Sequence, residues 1–149
     1  MVKDATRQFE NVIYSEIPLS RMMGVSVVSY DGKKLSLHAP LDKNTNHKST
    51  AFGGSLYNLA VLTGWGLIYL KLLEEQLSAH IVIQKSEIDY LLPVTTDIIT
   101  QCSIENFVAL KKCFHTYIRK NRSRIHLTVN IFQGKECAVC FRGTYVIHK

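Results

Sequence analysis

The N-terminal part of the chain changes from a helical to a strand-like spacing of apolar residues. Residues 4–14 place their apolar side chains on one helical stripe, with Asp4 as the expected N-cap. Residues 25–30 and 34–39 are rich in strand-forming residues, and the Asp31-Gly32 pair between them is typical of a tight hairpin turn. The pattern therefore predicts a short helix followed by a β-hairpin.

A much longer apolar run follows. From Gly53 to about residue 77 nearly every side chain is apolar, and no charged residue occurs between Lys48 and Lys71. A run of about 20 such residues suffices to span a bilayer. Polar and glycine positions dilute this run, however, and the flanking segments have the pattern of strands in a single sheet. We therefore predict a helix buried at the centre of a globular domain, with no membrane span.

The second half of the chain is rich in strand-forming residues. Its short turns predict an antiparallel meander at residues 80–91, 98–106, 111–120, 123–133 and 137–148. Together with the hairpin, these strands could curve around the apolar helix as one sheet of about seven strands, which explains why the helix has no polar face. We expect an α+β fold in one domain spanning residues 1–149. The open edges of such a sheet predict a homodimer or a dimer of dimers.

Charge and cysteine content narrow the class of protein. The 149 residues carry 18 Lys and Arg against 12 Asp and Glu, so a charged partner is expected to be acidic. No nucleic-acid-binding motif is present, and nucleic acid is not an expected partner. Four cysteines without a disulfide framework, and no apolar leader, predict a cytoplasmic protein with reduced thiols. Cys137 and Cys140 lie in a predicted strand, where residues three apart point to opposite faces, so no metal site is expected.

Three segments resemble a known family of acyl-thioester enzymes. They are residues 40–57, with an asparagine pair and the motif Phe-Gly-Gly-Ser, residues 62–66, Leu-Thr-Gly-Trp-Gly, and residues 90–94, Tyr-Leu-Leu-Pro-Val. These segments are similar to the thioesterase family known from the C-terminal domain of YiiD. The resemblance implies the hotdog fold, a curved antiparallel sheet wrapped around one long helix. It also implies an acyl-thioester substrate on acyl carrier protein or coenzyme A (CoA), and some members are described as malonyl-acyl-carrier-protein decarboxylases.

The start of the apolar helix has the features of an oxyanion site. The first turn of a helix has unpaired N–H groups and a partial positive charge, and Gly53 and Gly54 allow a ligand to approach them closely. The resemblance adds Asn46 as the loop asparagine of related hotdog thioesterases. Those enzymes carry a histidine and a carboxylate at the positions of Phe52 and Val61, so both titratable groups are missing from this sequence.

The missing acid and base leave the reaction open. Hydrolysis needs an activated water, which would have to come from Asn46, from His47 or from a partner subunit. Decarboxylation of a malonyl thioester needs no base, only a held carboxylate and hydrogen-bond donors for the enolate oxygen. We take hydrolysis first, decarboxylation of malonyl carrier protein as the alternative, and a non-catalytic acyl-thioester-binding module as the third hypothesis.

Further residues are predicted to contact the substrate or its carrier. From the loop, the helix and the resembling motifs we expect substrate contacts by Asn44, His47, Ser55, Asn58, Thr63 and Tyr90. Thr63 has the alternative of bonding back within its own helix. A basic run at a predicted hairpin turn is expected to dock an acidic carrier protein or the phosphates of CoA, through Arg119, Lys120, Arg122 and Arg124. The substrate itself carries CoA or phosphopantetheine, so no separate cofactor is expected.

Overall fold

The fold is a curved antiparallel sheet closed around one long helix. The computed structural model describes residues 2–149. Its helices are α1 (Val2–Glu16), α2 (Pro18–Met22), α3 (Gly53–Glu74) and α4 (Phe107–Lys120), with a single 3-10 turn at Leu41–Lys43. Its strands are β1 (Ser26–Tyr30), β2 (Lys34–Ala39), β3 (His80–Tyr90), β4 (Ile98–Ser103), β5 (Arg122–Gln133) and β6 (Glu136–His148). The strands form one sheet in the order β1-β2-β4-β5-β6-β3.

Helix α3 is the core, as the apolar run predicts. It packs against α1 and against five of the six strands, β2 to β6. Among residues 2–149 it is the one helix long and apolar enough to cross a membrane, and 67% of its apolar window is buried inside the domain. The predicted α+β arrangement, with the sheet wrapped around an apolar helix, is confirmed.

Two glycines allow the sheet and α1 to approach α3 closely. A Cβ atom on Gly64 would lie 2.3 Å from the hydroxyl oxygen of Tyr145, and one on Gly66 would lie 2.6 Å from Cζ of Phe9. Tyr145 and Phe9 are both fully buried. The Tyr145 hydroxyl donates a hydrogen bond of 2.8 Å to the Val61 carbonyl, which ties β6 to the middle of the helix. Any side chain at these two positions would therefore separate the layers.

The predicted strand at residues 111–120 is wrong, because this segment is helix α4. Asn106 caps its start by accepting a hydrogen bond of 3.0 Å from the Ala109 N–H, and Asn121 ends it in the left-handed conformation with a φ of 54°. The buried side chains have helical spacing and are Leu110, Cys113, Phe114 and Tyr117. The aromatic and β-branched content of the segment favours a strand locally, but packing against β5 follows the helical period.

The strand count and order also differ from the predicted meander. The sheet has six strands rather than about seven, and β4 ends at Ser103 because the chain then enters the cap of α4. Within residues 2–149, strand β3 pairs only with β6, so it lies at the edge of the sheet opposite β1 and not beside β4, the next strand in the chain. The basic run is consequently not at a hairpin turn. It spans the last turn of α4 and the first residues of β5.

The N-terminal helix begins earlier than predicted. Helix α1 starts at Val2, so Asp4 lies within its first turn and is not the N-cap. Phe9 and Ile13 form its buried stripe, as expected. After α1, Pro18 opens the short helix α2, where its missing N–H costs no hydrogen bond.

Cys137 and Cys140 lie on the same face of β6. The prediction that these two side chains point to opposite faces of the strand is therefore wrong. Cys140 pairs with Asn130 across the sheet, and Sγ of Cys137 lies 3.7 Å from Oδ1 of the same asparagine. The register shifts between Ile131 and Phe132, which adds one residue to β6 between the two cysteines. A β-bulge of this kind returns the next side chain to the original face.

Candidate functional site

Helix α3 begins at Gly53, as predicted, and its first turn is open. Phe52 is the N-cap with an extended backbone, φ −66° and ψ 132°, and provides no side-chain hydrogen bond to the turn. The first backbone bond into the helix runs from the Leu56 N–H to the Phe52 carbonyl, at 3.0 Å. The N–H groups of Gly53, Gly54 and Ser55 therefore precede the intrahelical ladder and are the candidate oxyanion donors.

Two aromatic rings flank Gly53 and Gly54, the glycine pair. The Tyr90 hydroxyl donates a hydrogen bond of 2.9 Å to the Gly53 carbonyl, and burial raises the pKa of this hydroxyl, so it stays protonated at neutral pH. The ring of Phe52 lies over Gly54, where an added Cβ would be 2.4 Å from it. Only a glycine at position 54 leaves this ring in place, and the ring is itself 54% exposed. Phe52 occupies the place where the related enzymes have a histidine.

Asn44 holds the preceding loop against the start of α3. Its side-chain amide donates hydrogen bonds of 2.9 Å to the Met23 carbonyl and 2.7 Å to the Pro40 carbonyl. Its own carbonyl accepts a bond of 2.7 Å from the Phe52 N–H. The residue is 3% exposed, and among the described residues its Oδ1 atom has no hydrogen-bond partner. Asn44 thus serves as an anchor whose amide is turned towards the protein.

Asn46 orders the tip of the same loop. Its Oδ1 accepts hydrogen bonds from the N–H groups of Lys48 (2.8 Å) and Thr50 (3.2 Å), and its Nδ2 donates one of 2.8 Å to the Thr50 hydroxyl. The side chain is half-buried. These bonds give Asn46 a clear role in shaping the loop that leads into Gly53, whereas a direct contact with the substrate stays a prediction.

Replacing Asn46 by alanine and by aspartate distinguishes these two roles. Alanine removes all three bonds, and we expect kcat to fall by about tenfold or more because the glycine pair loses its positioning. Aspartate keeps an acceptor for both N–H groups, so a positioning role predicts near-normal turnover for Asn46→Asp. Loss of activity in both variants, with unchanged melting temperatures, would instead assign the amide Nδ2 to the substrate.

Two other predicted contacts differ in their exposure. His47 is exposed at the tip of the loop. Thr63 is fully buried, and its hydroxyl bonds back to the Leu59 carbonyl at 2.6 Å and to the Thr100 hydroxyl at 2.6 Å. Thr63 thus bonds back within its own helix, which was the alternative to a substrate contact. Ser55 is also buried, whereas Asn58 is half-buried and lines a cavity.

An apolar cavity of about 220 Å³ lies along α3 and begins at Tyr57 and Asn58, one helical turn after the glycine pair. Its five α3 residues are 57, 58, 61, 62 and 65. Each lies three or four positions after Gly54 or after another of the five, so they continue the face of the helix on which Gly54 lies. Helix α2 and strand β3 supply the other walls. The lining residues are Ile17, Leu19, Ser20, Met23, Tyr57, Asn58, Val61, Leu62, Trp65 and Ile83. None of them is an Asp, Glu or His, so the cavity has no carboxylate or imidazole to act as a base.

Sequence reasoning missed Tyr57, which lines this cavity. Its hydroxyl lies 2.7 Å from the Ser86 hydroxyl on β3. Tyr57 stands one helical turn after Gly53 and Gly54, and this spacing was the signal available in the sequence. Ser86 had no such signal, because it comes 29 residues after Tyr57 and on another element.

The start of the loop is tied to the sheet by an acidic residue. Asp97 accepts a hydrogen bond of 2.9 Å from the Leu41 N–H, and its other oxygen lies 2.9 Å from Nε2 of His38. The Leu41 N–H and, second, His38 hold the pKa of Asp97 below its usual value of 3.8. A lowered folded-state pKa means that the charged carboxylate stabilises the fold. That contribution is complete above pH 3.8 and is lost as the pH falls through the lowered pKa.

We therefore expect Asp97→Asn to melt at a lower temperature than the wild-type protein at neutral pH. The difference should shrink well below pH 3.8, because the wild-type carboxyl is then protonated too. Thermal unfolding of both proteins over this range measures the effect. A difference that stays constant with pH would contradict it.

The four predicted docking cations lie at the other end of the molecule from the glycine pair. Across the sheet, Arg122 on β5 is paired with His148 on β6, and His148 is paired with His80 at the start of β3. Tyr90, at the end of β3, contacts Gly53. The ten residue steps of β3 between these ends span roughly 33 Å. Arg119, Lys120, Arg122 and Arg124 are all exposed, and Nε of Arg124 donates a bond of 2.8 Å to Gln84. Within one chain these cations and the glycine pair are therefore not one site.

Solved structures of other proteins share this fold over nearly the whole chain. A protein of unknown function from Chlorobaculum tepidum TLS is 34% identical, covering 99% of this chain and 96% of its own, with a TM-score of 0.96. A "putative thioesterase" from Shewanella oneidensis is 27% identical, with 99% of both chains covered and a TM-score of 0.86. A thioesterase from Haemophilus influenzae is 15% identical, with 93% and 89% covered and a TM-score of 0.70, and shares the fold alone.

The family itself is established by the sequence. Residues 6–149 match the family described as "Putative thioesterase (yiiD_Cterm)". This match confirms the resemblance seen in the glycine-pair segment and the hotdog fold inferred from it. The chain belongs to the YiiD C-terminal-domain family of hotdog-fold thioesterases.

Proposed function

We propose that this protein is a thioesterase for acyl thioesters of acyl carrier protein or CoA. The observation that carries the proposal is the apolar cavity along α3, which begins one helical turn after the glycine pair at the open start of this helix. Its walls suit a hydrocarbon chain. Its volume is below the range of about 300–1,000 Å³ that is typical of pockets for whole small molecules. The chain would lie in the cavity with its thioester carbonyl at Gly53 and Gly54, and the carrier or CoA would remain outside.

In this arrangement the helix start stabilises the negative charge that develops on the carbonyl oxygen. Water adds to the carbonyl carbon, the C–S bond breaks, and the electron pair of that bond goes to sulfur. The products are a carboxylic acid and a free thiol, and the proton lost by water reaches the thiolate through solvent. Thiolates are good leaving groups. Asn46, His47 or a second subunit would orient the attacking water. The substrate brings its own CoA or phosphopantetheine, so the proposal includes no further cofactor.

Decarboxylation of a malonyl thioester is the second candidate, favoured by the lack of any Asp, Glu or His in the cavity lining. In this reaction the bond between the α-carbon and the carboxylate breaks and CO₂ leaves. The electron pair forms an enolate, whose oxygen the Gly53 and Gly54 N–H groups would stabilise. The α-carbon then takes a proton from solvent to give the acetyl thioester, a product of use in fatty-acid synthesis.

One assay separates these reactions. The protein is incubated with malonyl- and decanoyl-acyl carrier protein, and with the matching CoA thioesters, and the products are resolved by mass spectrometry. Free acid with free thiol carrier supports hydrolysis, and acetyl carrier supports decarboxylation. Unchanged substrate at near-stoichiometric protein would overturn both enzyme proposals and leave a non-catalytic acyl-binding module.

We further propose a cytoplasmic homodimer, or a dimer of such dimers, joined through β3. In the described part of the chain this strand pairs only with β6, so its other edge is open there. Val82, Tyr90 and Leu91, at or near this edge, are exposed apolar residues. Two-fold antiparallel pairing sets the start of one β3 beside the end of the other. The cations near His80 of one copy would then lie beside the glycine pair of the second copy, where an acidic carrier or CoA would arrive. Sedimentation equilibrium tests the mass, and a monomer at assay concentrations would contradict the proposal.

A further inference from the structure

We infer that Trp65 closes the far end of the apolar cavity and sets the longest acyl chain that the protein accepts. This inference rests on the proposed function. Trp65 is the α3 residue of the cavity lining that lies farthest from Gly54. The eleven residue steps from Gly54 to Trp65 span about 16 Å of helix, whereas Asn58, at the near end, lies about 6 Å from Gly54. A chain entering from the glycine pair therefore passes Asn58 and Val61 before it reaches the indole.

The indole of Trp65 is held in place by its contacts, whereas a flexible side chain would move aside. Its Nε1 donates a hydrogen bond of 3.0 Å to the Ile81 carbonyl on β3. Its ring stacks on that of Tyr69, with centroids 5.2 Å apart and an interplanar angle of 11°, and it also contacts Phe9 at 6.2 Å. Phe9 is fully buried, so this ring has no room to move aside. Trp65 is thus held by one hydrogen bond and two ring contacts.

The position of Val61 gives a second way to change the cavity. Val61 lies one turn before Trp65 in the same lining, at the place where related enzymes carry a carboxylate. A larger apolar side chain there would occupy the middle of the cavity without leaving a void. A larger side chain at Val61 shortens the cavity, and a smaller one at Trp65 lengthens it. The two changes should therefore move the chain-length limit in opposite directions.

The test measures kcat/KM for acetyl-, hexanoyl-, decanoyl- and palmitoyl-CoA with four proteins: the wild type, Trp65→Leu, Val61→Phe and Phe132→Leu. For the wild type we expect kcat/KM to fall by about tenfold or more once the chain outgrows the cavity. Trp65→Leu should move this fall to longer chains and Val61→Phe to shorter ones. Phe132→Leu is the matched control, because Phe132 is an exposed aromatic residue on β5 that neither lines the cavity nor contacts Trp65. Its profile should follow the wild type.

A second readout keeps the inference separate from catalysis. Binding of non-hydrolysable thioether analogues of the same acyl-CoA series is measured by calorimetry for each protein, after circular dichroism has established that each is folded. Chain-length limits that shift in binding, without hydrolysis by any protein, support the inference and reject the thioesterase activity. Hydrolysis with the same chain-length limit in the wild type, Trp65→Leu and Val61→Phe would overturn the inference and leave the thioesterase proposal standing. Should Trp65→Leu fail to fold, an unshifted limit in Val61→Phe alone overturns it.

Discussion

Gly53→Pro should lower kcat for the thioester substrate by about 100- to 1000-fold, the usual cost of one oxyanion donor. Proline removes the Gly53 N–H and changes little else at this position. Gly53 is the first residue of α3, where proline fits the helix, and Phe52 before it already has the extended backbone that a following proline requires. The melting temperature should therefore stay near that of the wild type while turnover is lost.

Gly53→Ala is the matched control for this variant. A Cβ at position 53 would lie 3.6 Å from the Tyr90 ring, which is an ordinary contact, and alanine keeps the N–H. We expect it to retain most of the activity, which separates loss of the donor from addition of a side chain. Steady-state kinetics on decanoyl-CoA and thermal unfolding together measure the effect. Wild-type kcat in Gly53→Pro would show that the Gly53 N–H does not stabilise the oxyanion.

Gly64→Ala is expected to destabilise the fold by about 1–3 kcal/mol, the usual cost of overpacking a dense core. The new Cβ would lie 2.3 Å from the Tyr145 hydroxyl oxygen and 2.7 Å from Cζ of its ring. Tyr145 cannot move aside easily, because it is fully buried and bonded to the Val61 carbonyl. Either the helix or β6 must then shift. Chemical denaturation of the purified variant gives the free energy of unfolding.

The double variant Gly64→Ala/Tyr145→Phe tests the cause of this loss. Removing the hydroxyl relieves the shortest of the contacts, so the double variant should lose less stability than the sum of the two single variants. Additive losses would mean that the clash is not the reason. Gly53→Ala again serves as the reference for an alanine placed in the same helix without a close contact.

The parts of the fold that were predicted from the sequence are those with a strong local signal. Helix α3 has an apolar run too long for a strand, and the first hairpin has Asp31-Gly32 at its turn. Helix α4 was missed because its composition favours a strand, and only its packing on β5 shows which period its apolar residues follow. The shift of Cys137 and Cys140 to one face depends on a bulge that no local pattern in β6 indicates.

The candidate site also has features that could be predicted from the sequence and features that could not. The glycine pair at a helix start was readable from the sequence, since oxyanion chemistry needs only backbone N–H groups and these come with the helix. The roles of Asn44 and Asn46 were not, because hydrogen bonds to Met23, Pro40 and Thr50 depend on how the loop closes. The separation of Arg122 from Gly53 was also hidden, since it follows from the two ends of β3.

By itself, then, the amino-acid sequence determined the family, the buried central helix and the glycine pair, and it established that α3 carries no Asp, Glu or His before Glu74. These properties depend on residues close together in the chain. The tertiary structure alone decided the apolar cavity, the hydrogen bond that fixes Trp65 in its lining and the open edge of β3. The physical reason is that α2, α3 and β3 each supply one wall or edge. No local pattern specifies how segments so far apart in sequence meet across a folded core.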